Sequence, residues 1–338
     1  MRFVPLLAAV VMACDAQPES EQARVVEGAP DSTLVATPGA ASTVPGPNAT
    51  DSLALGVPDV DPPRVEDGDA DDSSPAPGEQ TSDPWLDRYD FEDRLWYVDL
   101  PGRLDEVSGL AFTPDGRLFG HDDERGRVHQ IDPGSGEVGM RFDLGDPLAL
   151  DDFEGIAVVG ERFFMVSSLG LLYEFREGSD REDVEYRVTD PGIGSGCEVE
   201  GLDHDPVSDA LLFPCKTTTP RTAPIEIRRV SMGTGDRMAS IRVDRDALPT
   251  KDINPDFAPS GIVGTPIGTW LVLSARDDAI IEIDGSGTVL AGVELRSGRH
   301  PQSEGIALSA DGTLYVADEK NGKEPRITAY APRREESR

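Results

Sequence analysis

Histidine, cysteine and positive charge are scarce in this chain, and each shortage closes off a class of function. Four histidines (His121, His129, His204, His300) show no metal-ligand spacing and no His-Glu-x-x-His, so no zinc hydrolase motif is encoded. Three cysteines in 338 residues exclude a disulfide-framework miniprotein. Thirty-one basic residues stand against 64 acidic ones, and the net charge of −33 repels nucleic acid and anionic lipid while attracting divalent cations. A Gly-x-Ser-x-Gly elbow is missing, which argues against an α/β-hydrolase serine, and no Gly-rich phosphate loop precedes a helix. Apolar runs of membrane-spanning length are missing too; Phe3–Ala13 covers about half a span.

That short run still carries information. Arg2 precedes it and Cys14 ends it, so it reads as a signal sequence and not an anchor helix. A small residue followed by cysteine resembles the bacterial lipobox; Val11 and Ala13 fit, and Met12 is an unusual filler. Acylation of Cys14 is therefore expected, making an exported cell-envelope lipoprotein that touches its membrane through lipid alone. The alternative is an ordinary signal peptide with an incidental Cys14. Residues 15–83 hold no Phe, Trp or Tyr, and 15 acids against Arg24 and Arg64 leave the stretch at −13. Such a segment cannot bury enough apolar surface to offset chain entropy, and a disordered acidic linker is expected. Aromatics return at Trp85, Tyr89, Phe91, Trp96 and Tyr97. The organisation read from composition is a signal peptide over 1–14, a linker over 15–83, a folded domain over 84–332 and a charged tail over 333–338.

The folded domain is repetitive. VSGLAFTPDGRLFGHDD (107–123), FEGIAVVGERFFMVSS (153–168), VEGLDHDPVSDALLFPCK (199–216), PSGIVGTPIGTWLVLSAR (259–276) and SEGIALSADGTLYVADEK (303–320) share one plan. Each has Ser-Gly or Glu-Gly, an apolar strand, a polar turn, then a second apolar strand with a polar end. Gly109, Gly155, Gly201, Gly261 and Gly305 lie 46, 46, 60 and 44 residues apart. Third strands follow at Val128–Ile131, Leu171–Phe175, Ile225–Val230, Ile280–Ile283 and Ile327–Tyr330. Fourth strands follow at Met140–Leu144, Val184–Val188, Ala239–Val243 and Leu290–Leu295. Four-stranded units at this period predict an all-β protein, a β-propeller of five blades. A sixth is expected only if the 60-residue interval hides a degenerate unit. The last repeat lacks a fourth strand, and Leu95–Leu100 is available at the front to close the last blade and remove the open edge.

The run DFAPSGIVGTPIGTWLVLSARDDAIIEIDGSGTVL followed by PQSEGIALSADGTLYVADEK resembles the SdiA-regulated (YjiK-like) β-propeller proteins. DDFEGIAVVGERFFMVSS and CEVEGLDHDPVSDALLFPCK fit the same family at the corresponding repeats. The resemblance spans about residues 95–332 and implies an envelope propeller without an established reaction.

In a propeller the start of each first strand and the end of each second strand meet at one mouth of the channel. Before the repeat glycines come Ser108, Glu154, Glu200, Ser260 and Glu304; two residues earlier come Glu106, Asp152, Glu198, Ala258 and Gln302. The second strands end at Asp123, Ser168, Lys216, Arg276 and Glu319. A structural role explains the recurring Ser or Glu: an acceptor for backbone N–H groups at a crowded blade start. The carboxylates need a counter-charge to stay ionised, and calcium tolerates irregular oxygen geometry. Ca2+ held by Glu106, Glu154, Glu200 and Glu304 is the expectation, with Lys216, Arg276, Asp123 and Glu319 binding a small polar ligand or partner beside it. Mutual salt bridging across the channel is the competing expectation. His121 is expected to be a satisfied polar residue, and Cys197 and Cys215 to pair as a disulfide across the third hairpin. The function read here is a monomeric binding propeller; the alternative is a calcium-dependent hydrolase, phytase-like or a lactonase.

Overall fold

Both faces of a propeller blade are covered by neighbouring blades, so its middle strands should be apolar throughout and not alternating. The computed structural model, which describes residues 83–217, 223–249, 253–296 and 298–333, is built this way. The leader with Cys14, the acidic stretch up to residue 82 and the tail from residue 334 lie outside the described residues. Strand β1 (Trp96–Asp99) comes first. The first blade follows as β2 (Val107–Phe112), β3 (Leu118–Asp122), β4 (Arg127–Ile131) and β5 (Val138–Leu144). The second contains β6 (Phe153–Val159), β7 (Arg162–Ser167) and β8 (Leu172–Arg176), after which come β9 (Asp183–Val184) and β10 (Tyr186–Thr189). The third contains β11 (Glu198–Val199), β12 (Asp203–Asp205), β13 (Ala210–Thr217), β14 (Ile225–Ser231) and β15 (Arg237–Val243). The fourth contains β16 (Gly261–Gly264), β17 (Trp270–Ser274), β18 (Ala279–Ile283) and β19 (Val289–Glu294); the fifth contains β20 (Ser303–Leu308), β21 (Leu314–Asp318) and β22 (Arg326–Tyr330).

Five sheets result, antiparallel except where β9 joins the edge of the first blade. The first two strands of every blade are joined by a turn with one left-handed residue: Gly116, Gly160, Asp209, Gly268 and Gly312. Five hydrophobic clusters hold the ring, one at each junction between neighbouring blades. Leu271 and Leu273 of β17 face the fifth blade while Trp270 and Val272 face the third, which is why that strand is apolar on both sides.

The ring closes as the sequence predicts. β1 pairs antiparallel outside β22, with Trp96 opposite Ala329 and Asp99 opposite Arg326. The Arg326 guanidinium donates to Asp99 Oδ1 at 2.6 Å. A 3-10 turn at Trp85–Arg88 adds a second clasp that the repeat pattern does not announce. Trp85, Leu86 and Tyr89 are buried between the fourth and fifth blades. The Leu86 amide donates to Glu282 Oε2 at 2.7 Å, and the Tyr89 hydroxyl donates to the Gly312 carbonyl at 2.8 Å.

Three local expectations change. The segment Val184–Val188 is not one fourth strand. Tyr186–Thr189 pairs with β8, whereas Asp183–Val184 crosses to pair in parallel with β5 of the first blade. Val184 is apolar and packs into the junction between the first two blades, so its burial pulls the chain across. The first strand of the third blade is broken into β11 and β12 at Glu200–Leu202. Its partner strand carries Pro214, which has no N–H to donate to the ladder. The extra length of the 60-residue interval goes into the connection between β15 and β16, not into a sixth blade. Its described part wraps Leu248, Ile253 and Phe257 into the junction of the third and fourth blades.

Candidate binding site at the channel mouth

The repeat glycines set the width of the channel. A Cβ on Gly155 would stand 2.5 Å from the Leu202 amide nitrogen, and one on Gly261 would stand 2.8 Å from the Glu304 carbonyl oxygen. One on Gly201 would meet Gly261 Cα at 3.1 Å, and one on Gly305 would meet Gly109 C at 3.5 Å. Inner strands therefore touch backbone to backbone around the axis. What remains there is a void of about 10 Å³ bordered by Ser108, Glu154 and Glu304, close to the room one water needs.

Above this pinch the chain assembles its acids. Backbone bonds weld the mouth from blade to blade: the Phe153 amide donates to the Asp123 carbonyl at 2.6 Å, Val199 to Ser168 at 2.9 Å, and Lys320 to Asp105 at 2.8 Å. The disulfide Cys197–Cys215, with Cα atoms 5.2 Å apart, ties the neighbour of Glu198 to the neighbour of Lys216. Lys216 Nζ lies 2.8 Å from Glu200 Oε1 and 3.9 Å from Glu198 Oε1. Glu200 is buried, while Lys216 is part-exposed.

Every site carboxyl whose ionisation is displaced is displaced upward. Burial, then the charges of Glu200 and Asp152, push Glu154 up to about 10. Glu304 goes to about 8 through burial and the charges of Glu319 and Glu200. Glu319 also goes to about 8, through burial, Asp123 and Glu106. Asp123 rises to about 7 through burial, the charge of Glu106 and a hydrogen bond to it. Burial takes Glu200 to about 7 although the Lys216 ammonium pulls the other way. For Lys216 burial acts downward, but the surrounding glutamates outweigh it and hold the ammonium charged. One cation thus serves several acids, and protons make up the deficit. Asp123 Oδ1 and Glu304 Oε2 are buried with no hydrogen-bond partner.

The two chemistries expected at blade starts separate here. Ser260 behaves as a structural acceptor, taking the Ala275 N–H at 3.0 Å and donating to the Ser303 carbonyl at 2.7 Å. The glutamates do not: Glu200 accepts from Lys216, Glu304 Oε1 lies 3.5 Å from Gln302 Nε2, and Glu154 Oε2 lies 3.5 Å from Ser108 Oγ. Gln302 also donates to Glu319. The structure brings together Glu106, Asp123, Glu319, Glu304, Glu200, Glu154 and Lys216 in one electrostatic chain. It does not bring Arg276 into that chain. Its guanidinium donates to the carbonyl of Asp256, in the long connection before the fourth blade, and stands 3.8 Å from Asp277 in the turn between β17 and β18. Among the described residues no three His, Cys, Asp or Glu side chains converge on one ion, so the four glutamates do not form a preformed inner-sphere cage. His121 is a fully buried core residue satisfied at one nitrogen only: its Nδ1 lies 2.9 Å from the Asp122 carbonyl, its Nε2 has no partner, and burial lowers it to about 4. Gln302 and Ser108 gain roles that residue type alone did not single out.

The profile of the SdiA-regulated family matches residues 84–322. Among solved structures, the glutaminyl cyclase of Myxococcus xanthus is similar over 70% of this chain and 94% of its own, at 17% identity and a TM-score of 0.51. The PQQ-bound aldose sugar dehydrogenase of Streptomyces coelicolor is similar over 70% of this chain and 98% of its own, at 12% identity and a TM-score of 0.46. The virginiamycin B lyase of Staphylococcus aureus is similar over 69% of this chain and 72% of its own, at 17% identity and a TM-score of 0.38. At 17% identity the likeness to the glutaminyl cyclase shows the fold alone.

Proposed function

The chain belongs to the SdiA-regulated family, and from that premise we propose an exported, lipid-anchored binding propeller whose acidic mouth takes up a hydrated divalent cation and a small polar ligand. The observation that carries this reading is the set of buried carboxyls around Lys216, all pushed upward, with Asp123 Oδ1 and Glu304 Oε2 left without partners. A site that stores protons because it lacks positive charge exchanges them for a cation when one arrives. Since three carboxylates do not converge on one point, the ion is held through its water shell. Lys216 then orients an anionic or carbonyl group of the ligand. Cys14 carries the lipid, and the acidic stretch after it is the tether.

Calcium titration of the full chain tests the mouth. Calcium should raise the melting temperature by mass action and release protons near pH 7, and Glu154→Gln with Glu200→Gln should remove most of both effects. If calcium and chelator leave melting and proton uptake unchanged, the ring is a hydrogen-bonded channel lining.

One observation favours a second, hydrolytic reading. Glu154 at about 10 and Glu200 at about 7 are two adjacent acids pushed apart, the arrangement of a general acid beside a general base. Arg276 is engaged elsewhere, so a carbonyl substrate such as a lactone suits the site better than a phosphoester. Turnover of a lactone panel that Glu154→Gln abolishes would support this reading over binding alone.

A further inference from the structure

The opposite end of the channel differs in kind. Below the glycine pinch the five first strands splay around an open-mouthed cavity of about 430 Å³. Its wall is apolar on every blade, with Phe112, Val158, Leu202, Val263 and Leu308 among the lining side chains. Phe112, Val158, Val263 and Leu308 are only part-buried, so they retain surface to offer. The acidic cluster of the other mouth has no counterpart: Asp203 supplies the one carboxylate of this lining.

Asp203 sits on the short strand β12, next to the break that Pro214 imposes. Its Oδ2 accepts the Gly264 amide N–H at 2.5 Å and so bridges the third and fourth blades. Among the described residues no Lys or Arg pairs with it; the neighbouring His204 ring turns to Asp209, with Nε2 3.1 Å from Oδ1. A carboxylate in a largely apolar cavity that accepts only the backbone N–H groups of His204 and Gly264 keeps its negative charge uncompensated, and a ligand that supplies positive charge there gains a charge-assisted hydrogen bond. The volume lies in the range of small-molecule sites, and a concave mouth walled by five strands suits a compact molecule better than a protein surface.

We propose that this cavity is a second binding site, for a small apolar molecule carrying one amine, with the amine on Asp203 and the apolar body against Phe112, Val158 and Leu308. The site is independent of the acidic mouth and of what that mouth binds.

The test uses dansylcadaverine, an environment-sensitive apolar fluorophore with a primary amine, against neutral dansylamide on the full chain. The amine probe should bind with blue-shifted emission and about tenfold more tightly than the amide, as one hydrogen bond to a charged group implies. Asp203→Asn, which keeps an acceptor for Gly264, should remove the preference while leaving the amide's affinity unchanged. Val158→Trp should fill the cavity and weaken both probes, which keeps the test decisive if the Asn variant fails to fold. Glu154→Gln with Glu200→Gln should change neither. Absence of binding, equal affinity for the two probes, or loss of amine binding in that acidic-mouth variant would each overturn the assignment.

Discussion

Glu154→Gln should make the protein more stable, and the gain should grow with pH. In the folded chain the Glu154 carboxyl is pushed up to about 10 from an ordinary 4.5, so it is protonated at pH 7, whereas in the unfolded chain it is ionised. Unfolding therefore releases a proton. A carboxyl of this kind imposes no penalty below about pH 4.5, and the penalty increases as pH rises from there towards 10. At about 1.4 kcal/mol per pH unit, the interval from 4.5 to 7 sets a ceiling of about 3 kcal/mol. Glu200 and Glu304 share the load by taking up protons of their own, so about 1–2 kcal/mol is expected at pH 7. Gln reproduces the shape and hydrogen-bonding capacity of the protonated acid without the option to ionise.

Urea unfolding of wild type and variant at several pH values from 5 to 9 measures the effect. The two should coincide near pH 5 and diverge as pH rises. Wild type also has an acid limb of opposite sign. Burial lowers both His121 and His129 to about 4, so their contribution is complete above about 6.5 and is lost as pH falls towards 4. The substitution should leave that limb untouched. A stability difference that does not vary with pH, or a Gln variant weaker than wild type at pH 8, would refute the claim that this carboxyl is held protonated.

Removal of residues 84–100 takes away β1 and the Trp85–Arg88 clasp together, exposing the edge of β22 and the junction of the fourth and fifth blades; aggregation by light scattering is expected, and a monomer with unchanged melting would count against this closure. Gly155→Ala places a methyl 2.5 Å from backbone of the next blade and should cost about 3 kcal/mol or more, whereas Gly139→Ala, with its nearest neighbour 3.9 Å away, should be neutral; equal melting of the two would show that the inner strands can separate freely.

How much could be read without coordinates depends on whether the cause is local. Strand, turn and strand alternate at a fixed period because each hairpin needs a left-handed turn and two apolar strands, and these leave marks in residue type. The five blades, their closure by the segment around Trp96–Asp99 and the pairing of Cys197 with Cys215 follow from such marks. The mouth follows in part, because topology alone sends first-strand starts and second-strand ends to one face. Side-chain direction does not follow. Lys216 and Arg276 occupy equivalent positions, yet Lys216 turns to Glu200 and Arg276 to the Asp256 carbonyl, because an inserted connection lies only beside the fourth blade. Protonation is likewise a tertiary property. Glu154, Glu200 and Glu304 share one motif, Glu-Gly, but rise to about 10, 7 and 8 according to which charges face each: Glu154, the least buried of the three, faces Glu200 and Asp152, whereas Glu200 is held down by the Lys216 ammonium. The apolar cavity at the far mouth is also invisible in the repeats, since volume depends on how five strands splay once the glycines have brought them together. Pattern in this chain determines which residues arrive at the axis, and packing decides what charge and space they find there.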